Sequence, residues 1–547
     1  MGNITTKNDK EPTERKKTNK EVIERNDTNK EVIERNDTDK SRMKLGYNEI
    51  MITSMYFNDI NDFINLEFGI KRFQGNMERF HFNPIPLNEY SRKFFHNIET
   101  FHIYNKYDEI FKDGKIFKYV IWYEVNYSTY LKEKEKGNIC KNIEYTKEDR
   151  KSYGNTIPRE VTTLGDECFK YCSTITTINI PSSISKLGKE CFFHCALLKE
   201  INIPKRLNLI EDRVFSNCFS LKSINIPTTI SKLGNYCFNK CTSLTSINIP
   251  TTTSEIGNSC FRESSSLKSI IIPTTINEIG NECFYGCASL TGINIPTTMR
   301  VLQSGCFYEC TSLKEIKIPT TINEMKYECF KDCSSLTSID LPTTINKIEY
   351  RCFYGCISLK TITIPTALSE LGKSCFYKCT SLTSINIKDV KYICHHKIFL
   401  NEPILLSFEI PQNLKKVNGQ NIKYQNINKF NIPTTITQIG DFCFNKLSNL
   451  NKINVPTSVK KLGKECFSEC SSLTSVTLST SVYELGDDCF YDCKALNRIV
   501  IPTSISKIGE RCFKRCRCEP KLIEQGVIKK EGSEVILIDE NEIEILE

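Results

Sequence analysis

The chain has 547 residues, of which 39% are hydrophobic and 25% charged, with a formal net charge of +8. This is the composition of a folded, soluble protein: no apolar run approaches the ~20 residues of a membrane-spanning helix, and the modest positive excess gives no reason to expect nucleic acid. There is no phosphate loop, paired-glycine fingerprint, nucleophile elbow or His-Glu-x-x-His, and the six histidines are scattered, so an enzyme is not expected and no catalytic, cofactor-binding or metal-binding residue is assigned.

Residues 1–42 are a charged, apolar-poor tail in which Thr18–Asp27, TNKEVIERND, recurs verbatim at Thr28–Asp37. This composition predicts disorder or a loose, charge-laced helix. The start lacks the apolar stretch of a secretory signal. Met1-Gly2-Asn3-Ile4-Thr5-Thr6 instead fits the N-myristoylation pattern, which makes Gly2 the candidate lipidation site. One acyl chain beside the diluted cations Arg15, Lys16, Lys17 and Lys20 gives only weak, reversible membrane association. The expected location is therefore cytoplasmic, with attachment at the plasma membrane.

Residues 43–150 are aromatic-rich, hold the single tryptophan, Trp122, and lack any repeat, so they are expected to form a small, mainly helical domain or a cap. Within them Asp62–Phe73, DFINLEFGIKRF, resembles the second half of an F-box, with Glu49–Ile52 in place of its first helix. That resemblance implies adaptor docking through Asp62, Phe63, Leu66, Ile70 and Phe73, as in a substrate receptor of a ubiquitin ligase. The usual Leu-Pro opening is replaced by Tyr47-Asn48, and an amphipathic helix of a cap accounts for the same residues.

From Pro158 to Pro365 proline returns at a 23-residue step, each time in a near-copy of one sentence. A unit this short has one apolar face and must stack on copies of itself, so residues 151–518 are expected to be a solenoid. In the unit Ile230–Thr252, Ser246-Ile247-Asn248-Ile249 alternates like a half-buried strand, and Pro250 ends it. Gly234 permits a turn, and Cys237, Phe238, Cys241 and Leu244 fall at the spacing of one helical face, predicting a short helix or 3-10 segment. Roughly sixteen such units, about 4.8 Å apart, would extend on the order of 75 Å.

The recurring Ile279-Gly280, Cys283-Phe284-Tyr285-Gly286-Cys287 and Ser289-Leu290 to Pro296 resemble the BspA-like leucine-rich repeat family of bacteria and parasitic protists, over about two thirds of the chain. The resemblance implies a leucine-rich repeat solenoid of α/β class: a parallel β-sheet with short helices or 3-10 turns, preceded here by a non-repeat N-terminal domain of amoebic type. Members look like adhesion or protein-interaction proteins, and amoebic relatives lie at the cell surface without conventional signals. Where many members have Ala before Phe, this chain has Cys.

The 28 cysteines fall mostly in pairs such as Cys168/Cys172 and Cys237/Cys241. A three-residue gap suits neither a zinc ribbon, which prefers two, nor a disulfide within one helix. Buried apolar ladders are the simpler reading, and the abundance of thiol favours a reducing compartment. Val214, Ser264 and Leu447 replace single members of pairs, which fits no obligate ligand role. Cys512, Cys516 and Cys518, and His395-His396 beside Cys394, are alternative ligand groups.

Between the buried strand residues a solvent-facing column runs through Asn179, Asn202, Asn225, Asn248, Ile271, Asn294, Lys317, Asp340, Thr363 and Asn386. Polar but hardly charged, it suits a protein or glycan partner, not nucleic acid or an obligate small molecule, although such columns also serve simply to solvate a sheet. Ile271, Lys317 and Asp340 break the pattern and are the candidates for specificity. Residues 388–432 lose the Cys-Phe centre and the register, as a bend, an insertion or a contact site would. Residues 519–547 form a tail that ends strongly acidic.

Overall fold

The computed structural model describes residues 46–400 and 402–528, together with the pairing of Ile543–Glu544. The expectations for residues 1–42, Gly2 among them, and for most of the acidic tail fall outside the described residues.

Each repeat is one coil of a parallel β-solenoid. In the coil analysed above, Ser246–Asn248 pairs in parallel with Ser269–Ile271 and that strand with Gly292–Ile293, while Lys232–Leu233 pairs with Glu255–Ile256. A coil thus contributes a first strand before its proline and a second strand after it, and the stack carries two parallel ladders. Ile230, Leu233, Cys237, Phe238, Cys241, Leu244, Ile247 and Ile249 all point inward and are buried. Gly234 has no left-handed φ. Its role is close approach: a Cβ there would lie 2.6 Å from the Asp212 nitrogen of the preceding coil.

The arc that closes each coil takes the turn form of the expectation, and no helix forms in it. Cys168, Lys170 and Cys172 donate their N–H groups three residues back, to Gly165, Glu167 and Phe169. The intervening N–H groups point along the stack: Glu167 donates to Lys189 O, Phe169 to Cys191 O and Tyr171 to Phe193 O. This alternation needs a left-handed residue before each cysteine position, Glu167 (φ 57°) and Tyr171 (φ 60°) in this coil, Tyr236 and Lys240 three coils on. A non-glycine residue there costs about 1–2 kcal/mol, and the hydrogen bonds to the next coil offset that cost.

Inside the arcs the Phe rings stack from Phe169 to Phe376, neighbouring centroids 5.2 Å apart at Phe169–Phe192 and 5.7 Å at Phe353–Phe376. All 28 cysteines are free and buried, and burial pushes thiols such as Cys195, Cys306 and Cys443 up to about 12. The two members of a pair differ. The second thiol donates to the Phe carbonyl of the preceding coil, as Cys241 does to Phe215 O (3.2 Å) and Cys287 to Phe261 O (3.1 Å). The first lies against its equivalents, Cys237 beside Cys260 and Cys329 beside Cys352. The exceptions obey this division. Val214, without a donor, takes a first position; Ser264 takes a second position and donates to Phe238 O at 2.7 Å. Leu447 takes a second position in the first coil after the break, where no such arc precedes it.

The irregular stretch is a splice. Lys397–Leu400 pairs antiparallel with both Val390–Ile393 and Ile404–Glu409, and the last of these pairs in parallel with Gln438–Ile439, so the second ladder resumes. The first ladder instead runs from Ser384–Ile387 to Lys416–Val417 and turns back at Gln420–Asn421. The Phe stack is interrupted as well: Phe376 meets Phe408 edge-on, and stacking restarts at Phe444–Phe467. With no preceding arc, the Cys443 carbonyl lacks the Phe N–H that its counterpart Cys375 receives from Phe353. The buried Lys397 ammonium (3.2 Å) and the Ser407 hydroxyl (2.5 Å) donate to it instead, and Lys397 also reaches Phe442 O. Burial pulls the Lys397 amine below its ordinary value.

At the N-terminal end α1 (Tyr47–Ser54), α2 (Ile60–Gly69) and α3 (Glu89–Arg92) precede β1 (Thr100–Ile103) and β2 (Lys118–Asn126); α4 (Tyr127–Glu135), β3 (Ile139–Tyr145) and α5 (Lys147–Tyr153) follow. The three strands are parallel, and β3 pairs with Thr163–Leu164 of the first coil. This helical region therefore caps the stack by extending its second ladder. At the other end Glu519–Glu524 is helical and buries Leu522.

Two outcomes follow. Cys287→Val is expected to lower stability by about 1–2 kcal/mol through the lost donor, more than either Cys287→Ser or Cys283→Val, as read from denaturation midpoints under reductant. Lys397→Ala removes two donors and leaves a cavity, so a loss of about 2–4 kcal/mol is expected, with limited proteolysis then cutting first within 388–432.

Candidate binding surface

The first-strand face is built by the strand alternation itself. Ile247 and Ile249 turn inward, so Ser246 and Asn248 turn outward, and the same holds coil after coil. Asn202, Asn225 and Asn248 are bridged in parallel through their backbones, which fixes them one coil apart. All ten residues of the expected column, Asn179 to Asn386, are exposed. The structure thus brings them onto one continuous line. Their side chains are not equivalent. Asn294 is engaged: its amide accepts from Ile272 N (2.9 Å) and donates to Ile272 O (2.8 Å), completing the strand edge. Among the described residues the Asn202, Asn225 and Asn248 amides have no such partner. Ile271 stands between Asn248 and Asn294 with 73% of its surface open to solvent. Lys317 and Asp340 are adjacent in the ladder.

The other surfaces of the coil are spent on the stack. Along the second ladder Lys232 pairs with Glu255 (2.6 Å), Lys347 with Glu370 (3.3 Å) and Lys461 with Glu484 (3.0 Å). Beside it an amide ladder runs through Asn235, whose Oδ1 accepts from Asn258 N, and Asn258, whose Oδ1 accepts from Asn281 N. The acids Glu278, Glu282 and Glu328 are not fully buried. Glu328 pairs with Lys331 at 3.0 Å and Glu282 with Arg262.

The sequence reading missed an aromatic ridge on the arc. The residue after each Cys-Phe is often tyrosine, and these meet outside the core: Tyr285 packs edge-on against Tyr308 at 4.5 Å, with Arg262 over Tyr285 at 3.9 Å and Lys331 over Tyr308 at 4.4 Å. Cation–π pairs of this kind hold the rings in place. The recurring Cys-Phe-Tyr triplet was the available signal.

The remaining candidates do not converge. Among the described residues no group of three or more His, Cys, Asp or Glu could hold a metal ion; His395 stacks on Tyr424, while Cys394 is buried. Of the F-box-like residues, Phe63 and Phe73 are core, Asp62 accepts the N–H of Asn58, Leu66 is half-buried and Ile70 is exposed. The most exposed large side chains here are Ile52 of α1, Phe68 of α2 and Tyr56 in the turn between them.

The family model described as BspA type leucine rich repeat region matches residues 162–291, 231–343, 277–403 and 393–519. Among solved structures, a leucine-rich repeat protein from Bacteroides ovatus is 27% identical, with 66% of this chain and 84% of that chain covered and a TM-score of 0.36. One from Eubacterium ventriosum is 20% identical over 70% of this chain and 93% of that chain, with a TM-score of 0.37. The pneumococcal vaccine antigen PcpA is 20% identical over 52% and 82%, with a TM-score of 0.35. No curated protein matches.

Proposed function

The chain belongs to the BspA-type leucine-rich repeat family, and we propose that it is a non-catalytic scaffold that presents its first-strand face to a protein partner. The observation that carries this reading is the division of labour around the coil. The second ladder carries ion pairs between coils, whereas the first-strand face offers the unpartnered amides of Asn202, Asn225 and Asn248 on a fixed pitch leading to the exposed Ile271. An apolar side chain beside free hydrogen-bonding groups suits a protein interface. The same hydrogen-bonding groups make a glycan the alternative ligand class. The wholly reduced, buried thiol core supports a reducing, cytoplasmic location, and the Gly2 motif supports a weak tether at the plasma membrane.

A second reading, the adaptor-docking receptor, is favoured by Ile52 of α1, Phe68 of α2 and Tyr56 in the turn between them, three large side chains left exposed.

Affinity purification tests both. Partners recovered by the wild-type chain are expected to be lost by the triple variant Asn225→Arg, Asn248→Arg, Ile271→Arg and kept by Tyr285→Ala, and the opposite result overturns the first reading. Recovery of a cullin adaptor that Ile52→Asp with Phe68→Asp abolishes would instead establish the second.

A further inference from the structure

Where the arc runs into the first strand, one rim position per coil alternates by two from Lys222 onward, the coil before it carrying Lys199 at the same position. Lys222, Lys268, Lys314 and Lys360 occupy every other coil, and threonine occupies each coil between them. The pitch of this row is built in. Thr245 N–H donates to Lys222 O, Lys268 N–H to Thr245 O and Thr291 N–H to Lys268 O, and the Thr291 hydroxyl caps the Lys268 carbonyl at 3.3 Å. Neighbouring coils in a parallel ladder lie about 4.8 Å apart, so the ammonium groups recur about every 9.6 Å along one straight line.

These lysines differ from Lys232, Lys347, Lys461 and Lys507 of the second ladder, which are paired. All four rim lysines are exposed, and among the described residues none has an ion pair. Between Lys222 and Lys360 the adjacent strand position is small or uncharged, with Ser246, Ser269 and Gly292 among its members and Glu315 as its one acid. The row therefore keeps its charge along an unobstructed shelf.

Resting on the reading of this face as a protein-binding surface, we infer that the lysine row is a ruler for an extended acidic polypeptide carrying one carboxylate every third residue. A polyproline II chain rises about 3.1 Å per residue, which puts every third side chain on one side at about 9.3 Å, within a few tenths of the lysine period. A partner strand has nowhere to add here, because the backbone groups of the face are already engaged with neighbouring coils. Nucleic acid fits poorly. Neither the rim, the shelf nor the asparagine column carries an aromatic side chain on which a base could stack, and phosphates are more closely spaced than these lysines.

The test uses the full-length chain and a fluorescein-labelled (Glu-Pro-Pro)6 peptide, with affinity followed by anisotropy at low and at physiological salt. The expected result is saturable, salt-weakened binding that falls about tenfold or more when Lys222, Lys268, Lys314 and Lys360 are all changed to Gln. Changing Lys186, Lys232, Lys240 and Lys446 to Gln should leave it unaltered, as should Glu315→Gln. A peptide with the same six acids in one block should bind at least about threefold more weakly. Equal loss in both quadruple variants, or equal binding of the blocked peptide, would reduce the effect to net charge and overturn the proposal. So would heparin binding that needs the four lysines while the peptide does not bind. The two readings fail separately. If the peptide fails but Asn225→Arg, Asn248→Arg, Ile271→Arg still loses its cellular partner, the binding face stands and the ruler falls; if that variant also keeps its partner, the face falls too.

Discussion

Left-handed residues placed twice in every arc govern this molecule. They rotate alternate peptide units so that three N–H groups per coil leave the coil and bond to the next, while the groups between them close local turns. Strand ladders alone join two narrow strips of each coil. The arcs add a third strip, and with it the wall of the solenoid is bonded most of the way round. Ring stacking follows from this, because the bonds that fix Cys-Phe of one coil over Cys-Phe of the next leave the Phe side chains face to face. So does the use of cysteine. A small side chain with a weak donor fits under the Phe carbonyl of the preceding coil, where a larger polar group would not pack.

The splice at residues 388–432 shows how strongly that bonding pattern constrains the chain. When a coil is replaced by an antiparallel hairpin, the arc that should feed the Cys443 carbonyl is missing, and the protein buries a lysine and a serine to supply the donors. Burying an amine is costly unless its hydrogen bonds are made, so its presence measures how much worse an unfed carbonyl at the head of the second block would be. The salt bridge between Lys373 and Glu465 ties the two blocks together across the same gap. The interruption thus ends the strand pairing of both ladders as well as the Phe stack, and the second ladder starts again where Ile404–Glu409 pairs with Gln438–Ile439.

Much of this was legible in the sequence, because periodicity is a direct consequence of stacking. The 23-residue step pointed to the solenoid, the alternation in Ser246–Ile249 to the strand and its exposed column, and the recurring Leu, Ile, Cys and Phe positions to the core. The arc was harder to read. Cys237, Phe238 and Cys241 sit at a spacing that a helix also produces, and the residues forced left-handed are ordinary ones such as Glu167, Lys240 and Asp332, with glycine only at Gly286, Gly305 and Gly355. Backbone sign leaves no trace in side-chain chemistry unless glycine marks it. The substitutions Val214, Ser264 and Leu447 read as casual in sequence, yet each becomes lawful once the carbonyl beneath it is known. The asparagine column does lie on the surface, but sequence could not show that Asn294 closes on its neighbouring strand whereas Asn225 stays free.

A surface of this kind obtains its geometry from the stack and its chemistry from whichever side chains the stack does not consume. Amide hydrogen exchange resolved to the arcs tests the central point most directly. The arc amides of Phe238, Phe261 and Phe284 are expected to exchange as slowly as the strand amides of Ile247 and Ile270, because each is bonded to the next coil. Exchange of those arc amides at the rate of open surface turns, with the strands still protected, would contradict it.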